Sequence, residues 1–460
     1  MSVGIFVCLG IILEFPISKD ECSKNQMRFT TMNWKFFGED LKARNTTPAP
    51  VTFGGVILQD VDHFNKSDES KFDQIFLYNP EYATNNSVNF LQLGGEGGID
   101  IGDLERGYMP WAKEFGANVF VLEHRYYGKS QPSEAGMQYL SSEQALADSA
   151  VFISSINEKL NITSPKWIVF GYSYSANLAA WMRMKYPELV LGAVASSAPV
   201  EAKLDFKEYF KVIAEKLKLH GNKNCTNDFR RYFSKVQTLL LTEEGRKRLG
   251  VEGNGTIDFV SGKLPWIQND DLQHSGVIFM CHLYKQLADN ISNPNATNFR
   301  NTSCHIKATD LANGRTDDDS WLWQTCTEFG YYQTTHIDGG IYDDAVLTVR
   351  DYIEMKCSRN FPEMHFNESS IQAAIDKTNA FYGGSKNFNA TNVVFVNGSE
   401  DPWHPLSVYD TPNDSVKSIL VQGASHCADW LTVDKAKIPE AMINAHERVK
   451  LEIAHWLGLQ

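Results

Sequence analysis

The chain has 460 residues, 43% hydrophobic and 12% aromatic, so it can bury a large core and has the length of roughly two or three domains. A formal charge of −13 and a sequence pI near 5.4, with no lysine- or arginine-rich stripe, argue against nucleic acid and anionic membrane surfaces as partners.

The opening stretch MSVGIFVCLGIILEFPIS carries an apolar run from Val3 to Leu13. It is too short to span a bilayer and matches the core of a signal peptide, so residues 1–18 read as a secretory signal, although a basic front and a small-residue cleavage site are missing. No later segment reads as a membrane span. Residues 14 to about 50, with NTTPAPVT, read as a loosely ordered lead-in.

Short apolar runs ending in turn residues follow at 88–98 (VNFLQLGGEGG), 118–128 (NVFVLEHRYYG), 166–172 (KWIVFGY) and 191–199 (LGAVASSAP). Two more come much later, at 392–403 (NVVFVNGSEDPW) and 417–426 (KSILVQGASH). Runs apolar on both faces, alternating with helical patterns at 141–160 and 176–189, predict a parallel sheet covered by helices on each side. Between Lys203 and about Phe388 the strand rhythm stops, and patterns such as FKEYFKVIAEKLKL read as helices. The expected division is a first part of an α/β domain at 50–202, a mostly helical cap insertion at 203–388, and the second part of the α/β domain at 389–460.

Asn-x-Ser/Thr occurs at Asn45, Asn65, Asn85, Asn161, Asn224, Asn254, Asn290, Asn295, Asn301, Asn367, Asn389, Asn397 and Asn413. Composition alone predicts roughly four such sites, so the excess points to a secretory chain carrying N-linked glycans. Cys8 falls in the signal; Cys22, Cys225, Cys281, Cys304, Cys326, Cys357 and Cys427 remain. They show no C-x-x-C and no regular Cys/His spacing, so no metal site is expected. The cluster from Cys225 to Cys357 predicts disulfides stapling the cap. The odd count leaves at least one thiol unpaired or bonded to another chain.

The stretch WIVFGYSYSANLAAWMR (167–183) sets two serines between an apolar run and an Ala-rich run. A serine hydroxyl needs a base to become a nucleophile, and the α/β-hydrolase solution is a sharp strand-to-helix turn, G-x-S-x-G, with small residues two before and two after the serine. Around Ser173 those neighbours are Gly171 and Ser175; around Ser175 they would be Ser173 and the larger Asn177. Ser173 fits better. The Tyr174 N–H, opening a helix, is then one oxyanion donor, and Gly95 or its neighbours in LGGEGGID supply the second. The base and acid should follow in the order Ser…Asp…His: Asp401 in NGSEDPWHP and His426 in QGASHCADW both end predicted strands. Glu400 and Asp429 are rival acids, and His404 is a rival base. The mechanism needs no metal or organic cofactor.

GGEGG, LEHRYYGKSQP, YLSSEQALAD, GYSYSANLAAW, VASSAP, WLWQTCTEFGYYQT, NGSEDPWHPLSV and GASHCADW together resemble the serine peptidase family of lysosomal Pro-X carboxypeptidase and dipeptidyl peptidase II. The likeness runs from about residue 55 to 430 and is greatest to the thymus-specific serine protease branch. It implies Ser173 as nucleophile, Asp401 as acid, His426 as base and a helical insertion over the active site. Tyr172 and Ala176 stand where the family usually carries glycines.

The resemblance also implies exopeptidase cleavage of peptides beside proline. A proline pocket needs flat apolar walls, for which Trp403 and Trp430 are candidates beside the acid and the base. In the cap, Trp321, Trp323, Glu328 and Tyr331 are candidates for the entrance. Glu96 or Glu328 could receive a substrate's amino terminus, and Arg125 a carboxylate; the direction of cleavage stays open. Rival readings are a carboxylesterase or lipase on the same sheet, and a catalytically silent secreted binding protein. The oligomeric state is not set by the sequence, and a homodimer is among the arrangements left open.

Overall fold

A computed structural model describes residues 53–132, 135–221, 224–249, 275–292, 316–335, 347–431 and 438–459. The expected signal, Cys22 and Cys304 lie outside the described residues.

Eight strands form one sheet in the order β1-β2-β4-β3-β5-β6-β9-β10. They are β1 (Phe53–Asp60), β2 (Lys71–Asn79), β3 (Val88–Leu93), β4 (Asn118–Leu122), β5 (Lys166–Tyr172), β6 (Gly192–Ser196), β9 (Val393–Gly398) and β10 (Val416–Val421). β1 and β2 run antiparallel to their neighbours, and all other pairings are parallel. The parallel strands β4, β6 and β9 are buried at every position, because helices cover both faces. On one face Leu91, Trp167, Val169 and Phe395 pack with Phe152 and Ile153 of helix α1 (Ser142–Lys159) and Leu178 and Trp181 of α2 (Tyr174–Lys185). On the other, Phe90, Phe170, Val194 and Val394 pack with Val449 and Ile453 of the C-terminal helix Glu440–Leu457.

Two pairs of strands were not expected. β1 and β2 form a hairpin that extends the sheet by antiparallel pairing, Phe53 opposite Tyr78 and Asp60 opposite Lys71. Within the insertion, β7 (Lys203–Asp205) pairs in parallel with β8 (Gly330–Tyr332). Three residues are too few to show a period, so this ribbon is silent in the sequence.

Between β6 and β9 the remaining regular structure is mostly helical: α3 (Glu208–His220), α4 (Cys225–Leu240), α5 (Ser275–Ser292), α6 (Asp317–Gln324) and α7 (Glu368–Tyr382). The fold is an α/β-hydrolase sheet with a large helical cap. Among the described residues two disulfides staple the cap, Cys225–Cys281 joining α4 to α5 and Cys326–Cys357 closing a 31-residue separation. Cys427 is buried and takes part in neither of these disulfides. Among the described residues no helix is long and apolar enough to cross a membrane.

The Cys326→Ser/Cys357→Ser variant should lose about 3 kcal/mol of stability, since closing a loop of this length restricts mainly the unfolded chain. Thermal or denaturant unfolding of the double variant against the parent measures the loss, and an unchanged midpoint would contradict it.

Candidate active site

Four loops at the carboxyl ends of β3, β5, β9 and β10 meet on one rim of the sheet. β5 ends at Tyr172 and α2 begins at Tyr174, leaving Ser173 alone to turn the chain at φ 55°, ψ −132°. So tight a turn brings backbone close to backbone. A Cβ on Gly171 would lie 2.1 Å from the Ser175 carbonyl oxygen, so only glycine fits there.

The two serines have opposite fates. Ser175 is 1% exposed; its hydroxyl accepts from the Tyr172 N–H and donates to the Tyr172 carbonyl, each at 2.9 Å. It ties the elbow together from inside. Ser173 faces the rim, with its Oγ 3.0 Å from His426 Nε2. His426 Nδ1 lies 2.9 Å from Asp401 Oδ1, which also accepts the Trp403 N–H at 2.8 Å. Both partners are buried, Asp401 completely. The carboxylate fixes the imidazole with its proton on Nδ1, leaving Nε2 free to take the Ser173 proton.

The rival residues have other partners. Asp429 accepts from the Tyr108 hydroxyl at 2.5 Å and the Ser196 hydroxyl at 2.6 Å. Glu400 lies 2.7 Å from His220 Nε2, and His404 Nδ1 lies 2.8 Å from the Tyr409 hydroxyl.

The Gly94–Gly95 turn after β3 crosses close to the start of α2, and a Cβ on Gly95 would stand 3.4 Å from Ser175 Cβ. It brings Glu96 to the serine: burial raises the Glu96 pKa, opposed by its own backbone N–H, by His426 and by a hydrogen bond with Ser173. Tyr174, whose N–H opens α2, has its ring clamped by a buried network. The Tyr127 hydroxyl donates to Gln324 Oε1 at 2.6 Å, and Gln324 Nε2 donates to the Tyr174 hydroxyl at 2.8 Å. The Tyr174 hydroxyl in turn meets His124 Nε2 at 3.1 Å, where burial lowers the His124 pKa to about 4 and keeps the ring neutral. A lone buried glutamine gives no sequence signal for this role.

The pocket candidates separate. Trp403 is half-buried, 6.1 Å from the His426 ring, and packs on Phe206, Tyr209 and Tyr331. Trp430 is 1% exposed and lies beneath Tyr172, their rings stacked at 5.2 Å, so Tyr172 covers that indole face. Trp323 is buried in the cap against Phe361 and Phe366. Glu328 accepts from the Ser142 N–H and hydroxyl, and thereby caps α1 rather than presenting a free carboxylate. Arg125 is fully buried in a bidentate pair with Asp148, both bonds 2.7 Å, so it has no group left for a substrate carboxylate.

A nucleophile elbow followed by an acid and a histidine on this sheet defines a hydrolase of the α/β class. A family model described as serine carboxypeptidase S28 matches residues 59–258 and 268–448, and the chain belongs to this family of serine peptidases. The mouse thymus-specific serine protease (Mus musculus) is 31% identical over 459 residues, covering 89% of this chain and 88% of that one. Its human counterpart (Homo sapiens) is 30% identical over 454 residues, covering 88% and 87%. Human lysosomal Pro-X carboxypeptidase is 25% identical over 451 residues, covering 87% of each chain.

Gly171→Val should displace the elbow backbone and slow fluorophosphonate labelling of the folded protein by roughly a hundredfold, since misplacement of about 1 Å costs that much. Labelling at the parent rate would show that the turn tolerates a side chain.

Proposed function

We propose that this chain is a secretory-route serine exopeptidase that hydrolyses peptides beside proline through an acyl-enzyme on Ser173. The observation that carries the reading is the Ser173–His426–Asp401 chain, with links of 3.0 and 2.9 Å. Ser173 Oγ adds to the scissile carbonyl as its proton passes to His426 Nε2. The Tyr174 N–H and the Gly95 turn hold the oxyanion. His426 returns the proton to the leaving amine, and a water repeats the sequence to free the acid product.

Proline preference draws on Trp403, a flat half-buried indole beside the histidine, and on the lysosomal Pro-X carboxypeptidase among the relatives. Tyr172, the residue before the serine, supplies a second flat wall, backed by Trp430. Passage through the secretory route is supported by the sequons: Asn65, Asn85, Asn161, Asn224, Asn367, Asn389 and Asn413 are all exposed. Asn397, 1% exposed within β9, is the exception and has no room for a glycan.

Ser173→Ala should abolish turnover and fluorophosphonate labelling, whereas Ser175→Ala keeps labelling but loses about 1–3 kcal/mol of stability, because the buried Tyr172 N–H loses its acceptor. Labelling that survives in Ser173→Ala and vanishes in Ser175→Ala would overturn the assignment. Among proline-containing peptides, those with one free terminus should be cut and those blocked at both ends should not. Cleavage of doubly blocked peptides, or of short-chain esters alone, would refute exopeptidase action.

An acidic working compartment has physical support. Burial raises the carboxyl pKa of Glu96, Asp103, Glu123, Asp317, Glu328 and Asp429, that of Asp103 to about 6. Such groups bind more protons folded than unfolded between the ordinary carboxylate range and their raised values, so stability falls as pH rises through that window. His124 opposes this below its ordinary value, and Asp148 opposes it only at lower pH, where burial is outweighed by Arg125 and its pKa is lowered. The melting temperature should therefore be higher near pH 5.5 than near pH 7.5, and the reverse order would contradict the acidic assignment.

A further inference from the structure

Lys216, on the inserted helix α3, is 2% exposed, and a lysine buried that deeply needs compensating partners. Its Nζ donates to Ser425 Oγ at 2.5 Å and faces Glu400 Oε2 at 3.6 Å. Those two residues come from different loops. Ser425 immediately precedes His426, and Glu400 immediately precedes Asp401. One ammonium thus bridges the loop of the base and the loop of the acid, each at the residue before the reacting side chain. His220, one turn further along α3, meets the other Glu400 oxygen at 2.7 Å.

The two loops are already laid side by side. The Glu400 N–H donates to the Ala424 carbonyl at 2.9 Å, and the Gly423 N–H donates to Ser399 Oγ at 2.9 Å. A Cβ on Gly398 would lie 2.2 Å from the Ala424 oxygen, so the approach requires glycine. Backbone contacts set the spacing of the loops, and the Lys216 bridge pins the side-chain ends against the cap.

We propose that Lys216 is a positioning residue for catalysis: it couples the seat of the cap helix α3 to the mutual orientation of Asp401 and His426, through Glu400 and Ser425. The inference rests on the Ser173–His426–Asp401 reading. A substrate that displaces the cap would reach the triad along this path, because α3 cannot move without dragging or breaking the Glu400 and Ser425 contacts. Compensation of Glu400 is the second role. With the ammonium gone, the buried Glu400 carboxylate, one residue from Asp401, would keep His220 and lose its cation on the Oε2 side.

The test compares Lys216→Met and Lys216→Arg with the parent, each normalised to its fluorophosphonate-titrated sites. In Lys216→Met, kcat and the labelling rate should fall roughly ten- to a hundredfold while KM stays within about threefold. Lys216→Arg, which keeps the charge, should recover a substantial part of both. A Lys216→Met protein that melts earlier but keeps the parent's kcat and labelling rate would reduce Lys216 to packing and overturn the proposal. Should Lys216→Met not fold, Ser425→Ala decides: it removes one contact of the bridge, and an undiminished kcat there overturns the proposal equally. Failure of the triad reading is separate, since it would appear as labelling of Ser173→Ala whatever residue 216 is.

Discussion

Everything at the rim depends on holding Ser173 in a conformation that a side-chain-bearing residue adopts only under constraint. At φ 55°, ψ −132° the residue is strained by about 1–3 kcal/mol, and the surrounding structure has to over-determine it. Its N–H is held by the Ser196 carbonyl at 3.0 Å and its carbonyl by the Ala176 N–H at 3.0 Å, one bond to the next strand and one to its own helix. Ser175 closes the turn from below, and Gly171 lets the helix sit against the strand. The strain is borne by the parallel pairing of β5 with β6, whose register ends with Tyr172 opposite Ser196.

The same sheet geometry brings the acid and the histidine to the serine. β5 pairs with β6, β6 with β9 and β9 with β10, so the three chain segments leave the sheet on one side within four neighbouring strand positions. The cap is joined to this rim by polar contacts as well as apolar ones. Gln324 and Glu328 connect it to Tyr174 and to the start of α1, and Lys216 and His220 connect it to the loops of β9 and β10. Buried polar contacts are directional, so they fix one seating of the cap where an apolar surface alone would allow several.

The strands most legible in the sequence are those buried on both faces, because continuous apolar runs with turn residues at their ends arise for few other reasons. β3, β4, β5, β6, β9 and β10 fall in that group, and the loops after four of them hold the candidate chemistry. The β1–β2 hairpin was illegible since its strands mix exposed and buried positions, as in the Leu58 side chain at 60% exposure. Charged residues misled in a consistent way. Arg125 and Glu328 look available when read along the chain, because a sequence shows the charge and not the partner that neutralises it. Lys216 gives no signal along the chain for the same reason, its partner Ser425 lying at a separation of 209.

Tyr172 illustrates how a local departure can be absorbed. In a position where the family usually has glycine, a phenol ring needs somewhere to lie, and it stacks on Trp430 at 5.2 Å and 29°. Trp430 is itself fixed by Tyr108 and by the close approach of Gly107, where any Cβ would strike the indole at 2.4 Å. The ring is held against that indole, and the Ser173–His426 contact is 3.0 Å. What the substitution changes is the surface beside the serine: a broad aromatic wall replaces the open space a glycine leaves.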